Sequence, residues 1–159
     1  MANVLKPGEG EAYGSAQFRM DRFMLDGSHT QGRISVVEHT VAPSVLAGPV
    51  HLHTKEDEYT LVLEGRLGAL LGEEEVYADP GDFVAKPRGQ WHTFWNAGGT
   101  TLRVLEIITP SGLEELFKQL GKAGDKYDPS ELPVLAASYG CDVDFEGTTA
   151  VAERFGLTV

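Results

Sequence analysis

Residues 48–65 read GPVHLHTKEDEYTLVLEG. His51 and His53 stand one residue apart, Glu58 follows five residues after the second, and Gly65 closes a run rich in β-branched and apolar residues. Side chains alternate between the faces of a strand, so the two histidines project to the same side, about 7 Å apart along the backbone. The turn TKEDE leads into the next strand, and a hairpin brings Glu58 back toward the pair. Imidazole nitrogens and a carboxylate oxygen suit a divalent transition metal: Fe, Mn, Ni, Co, Cu or Zn. Taken alone, the same residues also read as a solvated patch on a strand beside an acidic turn.

Residues 81–96, GDFVAKPRGQWHTFWN, supply another histidine. Pro87, Arg88 and Gly89 make a turn, and His92 opens the strand that follows. His92 and Asn96 share a face, with Phe94 between them. Outward from these stretches, RISVVEHTV (33–41), EYTLVL (58–63) and TLRVLEII (101–108) are β-branched runs. Turn signals separate them at short intervals: AGP, GEEE, DPGD, KPRG and NAGG. Such spacing predicts an antiparallel sandwich or barrel, with strands near 17–25, 33–41, 48–54, 58–64, 66–71, 75–78, 82–86, 91–96 and 101–109.

The pattern changes at Pro110. Ser111 and Glu114 have the spacing of a capping box, and Leu113, Leu116, Phe117 and Leu120 recur at helical intervals before Gly121. An amphipathic helix of about ten residues is expected, then a linker over 121–129. Beyond it, VLAASYGCDV and AVAERFGLTV each end an Ala-rich, helix-like run with an aromatic residue and a glycine. The last 50 residues read as helical decoration on a β core.

The chain has 159 residues and a net charge of −11, which gives no electrostatic footprint for nucleic acid and disfavours an anionic membrane surface. The single cysteine, Cys141, excludes an internal disulfide and a cysteine-based zinc cluster, and fits a cytoplasmic setting. The first residues carry neither a basic start nor an apolar core, so no signal peptide or membrane span is expected.

The joint pattern resembles the cupin superfamily, whose motifs are written G(x)5HxH(x)3–4E(x)6G and G(x)5PxG(x)2H(x)3N. His51, His53, Glu58 and Gly65 fall at the spacings of the first; Gly81, Pro87, Gly89, His92 and Asn96 match every fixed position of the second. Fifteen residues separate Gly65 from Gly81, and the leading glycine of the first motif is replaced by Val45. The resemblance implies an all-β double-stranded β-helix, a jelly-roll barrel, over residues 1–110. Residues 111–159 are then a helical C-terminal extension packing on the barrel or on a partner. It implies a metal held by His51, His53, Glu58 and His92, a structural Asn96, and a homodimer that covers an open sheet edge. Single-domain cupins with this ligand set and a helical extension look most like the quercetin dioxygenase-like group, which inserts dioxygen into a flavonol or related chelating substrate.

Strand parity places Thr60 and Val62 on the side of Glu58, and Phe94 on the side of His92. Phe18, Met20 and Met24 lie on the first strand, which in cupins borders the pocket. Phe18, Met24, Thr60, Val62 and Phe94 are therefore the expected substrate pocket, mostly apolar and without an evident cluster of arginine and lysine. An aromatic or otherwise apolar small molecule with an oxygen chelating group fits it best. Glu58 and Glu38 are the candidate catalytic carboxylates; of Glu38 and its neighbour His39, only one can point inward. The expectation is a metal-dependent dioxygenase. The alternatives are a non-catalytic cupin that binds a small ligand, and a metal-dependent isomerase or decarboxylase.

Overall fold

The computed structural model describes residues 4–159, so residues 1–3 of the expected barrel span lie outside the described residues. The elements run β1 (Glu11–Gly14), β2 (Arg19–Leu25), a helical turn α1 (Gly27–Thr30), β3 (Ser35–Val41), β4 (Val50–His53), β5 (Asp57–Glu64) and β6 (Leu67–Leu71). They continue β7 (Glu74–Ala78), β8 (Phe83–Lys86), β9 (His92–Asn96), β10 (Leu102–Thr109), α2 (Glu114–Ala123), α3 (Leu132–Ser138), β11 (Cys141–Asp144) and α4 (Phe145–Phe155). Two antiparallel sheets face each other, in the orders β1-β2-β3-β10-β5-β8 and β11-β4-β9-β6-β7.

Period-two alternation builds the space between the sheets. On β5, Glu58, Thr60 and Val62 are buried while their neighbours are more exposed; on β10, Leu102, Val104, Glu106 and Ile108 are buried in the same rhythm. One end of this space is a dry core that includes Val41, Val62, Ala69, Val84, Phe94, Leu102 and Val104. The other end carries the polar residues. Gly65 closes the β5–β6 turn at φ 81°, where a Cβ would come within 2.5 Å of the Thr101 carbonyl oxygen.

All nine expected strands are present, and the sequence reading missed two short ones. β1 precedes the first expected strand and pairs with β2. β11 lies inside the stretch read as helical and pairs with β4, Cys141 opposite His53 and Val143 opposite His51. Four residues of alternating polarity are too short for the period to register, and pairing with β4 outweighs the local signal.

The extension packs on the barrel. α2 starts near its expected position, but Ser111 and Glu114 form no capping box. Glu114 is 2 % exposed and accepts hydrogen bonds from Gly27 N (3.0 Å), Ser35 Oγ (2.9 Å) and Gly112 N (2.6 Å). Its carboxylate ties α2 to α1 and β3, and at its own helix end reaches Gly112 N rather than the Ser111 N of a capping box. The helix also runs past Gly121, where a Cβ would come within 2.4 Å of Tyr13 Cβ, and ends at Gly124 with φ 52°. Gly121 therefore serves close approach to β1 rather than termination. α4 stacks Phe155 on Trp95 at 4.5 Å, and its Thr148 Oγ1 accepts from Val50 N (2.9 Å), fixing the start of β4.

Candidate metal centre

β4 places His51 and His53 on one face, β5 returns Glu58, and β9 brings His92 opposite His51. One donor atom from each of the four residues lies within 4.8 Å of all the others. His53, Glu58 and His92 are buried and His51 half-buried.

The backbone sets the tautomers. His51 Nδ1 donates to the Pro49 carbonyl (2.6 Å) and His92 Nδ1 to the Gln90 carbonyl (2.9 Å), so each Nε2 keeps its lone pair for the centre. His53 has both ring nitrogens buried without a hydrogen bond, an arrangement that costs free energy unless something else binds there. Its Nε2 stands 3.5 Å from Glu58 Oε2, and His92 Nε2 stands 3.1 Å from the same oxygen. Three imidazoles and a carboxylate, with an orphaned nitrogen among them, fit a divalent transition ion.

Behind the four donors lies a charge network with no counterpart in the sequence reading. Lys86 Nζ, 2 % exposed, bridges Glu106 Oε2 (2.8 Å) and Glu58 Oε2 (3.1 Å), and Thr60 Oγ1 donates to Glu106 (3.0 Å). Burial disfavours charge on Lys86 and Glu58, yet the ion pairs outweigh it. Lys86 is raised above the usual lysine value by Glu106 and Glu58, and Glu58 is held well below the carboxylate range by Lys86 and His53. Burial and the neighbouring imidazoles keep His51 neutral, with its pKa well below the usual value. On His53 burial opposes charge, but Glu58 pushes the pKa up to about 10; a bound cation takes the place of that proton.

The centre opens into a cavity of about 380 Å³, within the range of small-molecule sites. Its barrel side includes His51, His53 and Glu58 of the cluster, Lys86, Glu106 and the group Arg19, Asp21 and His39. Its other side is the extension: Leu116, Phe117 and Leu120 of α2, Leu132 and Ala136 of α3, and Cys141 and Val143 of β11. Arg19 and Lys86 are the cationic residues that the sequence reading did not find, and each already holds a carboxylate.

Of the expected pocket residues, Phe18 and Phe94 line the cavity. Thr60 shares the inward face of Glu58 but lies under Glu106, and Val62 belongs to the dry core. Met24 is corrected: β2 turns Arg19 and Asp21 inward, and Met24 Sδ lies 3.8 Å from Arg22 on the opposite face. Glu38 is corrected for the same reason of parity. Its carboxylate pairs with Arg22 (2.9 Å) and Arg103 (3.4 Å) away from the cavity, and His39 is the inward residue of the two.

A jelly roll with a histidine–carboxylate centre at one end of its interior is the class of protein that fold and site define. Residues 37–108, somewhat less than half of the chain, match the cupin domain family. Over 96% of its length it is 26% identical to the quercetin 2,3-dioxygenase of Bacillus subtilis (strain 168), and it spans 44% of that enzyme, less than half. Two solved structures share the fold. KdgF from Halomonas sp. superposes with a TM-score of 0.62 at 15% identity, covering 72% of this chain and 99% of that one. The polyketide cyclase RemF from Streptomyces resistomycificus gives 0.59 at 24%, covering 70% and 81%.

Proposed function

We propose that the protein is a metal-dependent dioxygenase acting on a small aromatic or chelating substrate of the flavonol or diketone type. The observation that carries this reading is the two-sided cavity: His51, His53 and Glu58 of the four-residue cluster on one wall, and an apolar, partly aromatic wall facing them. The similarity to the Bacillus quercetin 2,3-dioxygenase supports it.

His51, His53, Glu58 and His92 hold the ion. The bound ion supplies a Lewis acid for a chelating oxygen pair and, when redox-active, one-electron chemistry toward dioxygen. Phe18, Phe94 and Phe117 offer ring faces to the body of the substrate, and Leu116 and Leu120 exclude water above it. Glu58, kept ionised by Lys86, is placed to accept the proton of a chelating hydroxyl. The open edge strand β8 carries Phe83, 56 % exposed, and the proposal includes a homodimer that covers an edge of this kind. A monomer by light scattering at micromolar concentration removes that part.

Oxygen uptake tests the whole. Protein loaded separately with Fe(II), Mn, Co, Ni and Cu is assayed against flavonols, catechols and β-diketones. Uptake that needs both a metal and one substrate class, and vanishes in His53→Ala, is the expected result. Metal retained with no uptake for any pair overturns the oxygenase and leaves a ligand-binding cupin or a non-oxidative isomerase or decarboxylase.

A further inference from the structure

We propose that His39, oriented by Asp21, is a second acid–base centre of the cavity, which moves a proton on the bound substrate from outside the set of metal-binding residues. The inference deepens the reading above and rests on it only in placing the substrate in this cavity.

His39 is 1 % exposed and lines the cavity. Its ring lies between Phe94 of the barrel (6.1 Å) and Phe117 of α2 (5.7 Å). Nδ1 stands 2.7 Å from Asp21 Oδ1. Asp21 is itself fixed: Arg19 grips it through Nε to Oδ1 (2.7 Å) and Nη2 to Oδ2 (2.8 Å), and Arg19 in turn donates to the Ala47 carbonyl. Burial disfavours the Asp21 carboxylate, but Arg19 and His39 outweigh it and hold its pKa well below the usual range. The carboxylate therefore stays charged and fixes the proton of His39 on Nδ1. Nε2 makes no hydrogen bond among the described residues, so it is the nitrogen left for whatever occupies the cavity.

Most buried side-chain nitrogens have a hydrogen-bond partner, protein or water. His39 gives one to a carboxylate and keeps the other for the cavity, the arrangement by which a carboxylate orients an imidazole base. The substrates this serves have an acidic O–H, or a C–H beside a carbonyl. The Nε2 lone pair forms an N–H bond with that proton, and the electron pair of the broken bond remains on the substrate as a phenolate or enolate. The imidazolium charge is balanced by Asp21, and the proton returns to product. Dioxygenation and non-oxidative chemistry on such a substrate can both use this transfer.

The experiment is histidine side-chain ¹⁵N NMR on the full chain loaded with Zn(II), with 3-hydroxyflavone as probe, alongside steady-state kinetics. In its neutral form His39 is expected as the Nδ1–H tautomer, and the probe should shift Nε2. His39→Gln should lower kcat about 10²–10⁴-fold with metal stoichiometry unchanged. Asp21→Asn should lower it less and mix the tautomers. An Nε2–H tautomer, or an imidazolium persisting across neutral pH, overturns the proposal, as does a His39→Gln variant with wild-type kcat. If no compound of the panel is turned over, the function proposed above falls, while the tautomer still decides the role of His39.

Discussion

The two ends of the barrel interior are made by the same strands and differ in almost everything else. β5 runs from Glu58 through Thr60 to Val62, β10 from Glu106 to Val104 and Leu102, β8 from Lys86 to Val84, and β3 from His39 to Val41. At one end these side chains pack as an apolar cluster; at the other they form ion pairs and the His39–Asp21 contact, beside the four candidate metal-binding residues. Strand parity chooses the face, and position along the strand chooses the chemistry. The apolar end anchors the sheets, and that rigidity lets the polar end keep buried charges at fixed separations.

The largest effect expected from disturbing this division is at Lys86. Lys86→Met leaves Glu58 and Glu106 buried without their cation and should cost about 3–5 kcal/mol in urea unfolding. The double variant Lys86→Met/Glu106→Gln should recover most of the loss. A Lys86→Met protein as stable as wild type would show that the polar end is not held by charge balance. At the dry end, Leu102, 0 % exposed, has no polar partner to lose. Leu102→Ala should cost about 2–5 kcal/mol and leave metal stoichiometry unchanged; a loss of metal binding would mean the two ends are not separable.

Acid should strike the polar end first. Asp21 has a folded pKa well below the usual aspartate value, held there by Arg19 and His39 against the opposing effect of burial. The stability it contributes is complete above that value and lost as pH falls through the folded one. Asp21→Asn should therefore flatten the acid limb of a stability–pH curve measured by thermal unfolding; an unchanged limb contradicts the assignment. The last effect concerns the metal and is read at His53, whose Nε2 stands 3.5 Å from Glu58 Oε2. His53→Ala removes an imidazole that pairs with Glu58 and should lower metal-free stability in urea unfolding. It should also abolish the stabilisation that metal gives the wild type, read as a rise in Tm and worth about 2.7 kcal/mol at a concentration a hundred times Kd. A variant that keeps the full rise in Tm would show that His53 is not a ligand.

The barrel wall was legible because its information is local. Nine strands follow from alternation, and the group His51, His53, Glu58 and His92, spanning 42 residues, from the motif resemblance. The parity argument also narrowed β3 to Glu38 or His39, but could not choose, since both are polar and both are buried. The choice came from partners remote in sequence: Arg22 and Arg103 draw Glu38 outward, and Asp21 holds His39 inward. Lys86 went unnoticed for a similar reason. A lysine before a Pro–Arg–Gly turn looks like a surface charge until Glu106, 20 residues away, is seen beside it.

The extension was read correctly as mostly helical and incorrectly in its details. Glu114 has capping-box spacing yet serves β3, Gly121 has the place of a helix stop yet serves Tyr13, and Cys141–Asp144 follows helix-like sequence yet forms a strand. In each case a contact between distant segments outweighs a preference of about 1 kcal/mol.

The sequence by itself determined the sandwich, the positions of its strands and the four candidate metal-binding residues, because strand period and motif spacing are properties of short stretches. Only the tertiary structure decided which residues complete the cavity. Lys86 and Glu106 meet beneath the centre, Asp21 and His39 meet at its side, and α2, α3 and β11 close it. Those meetings are fixed by sheet register and by burial of the extension's apolar face. Neither has a period that a sequence can display.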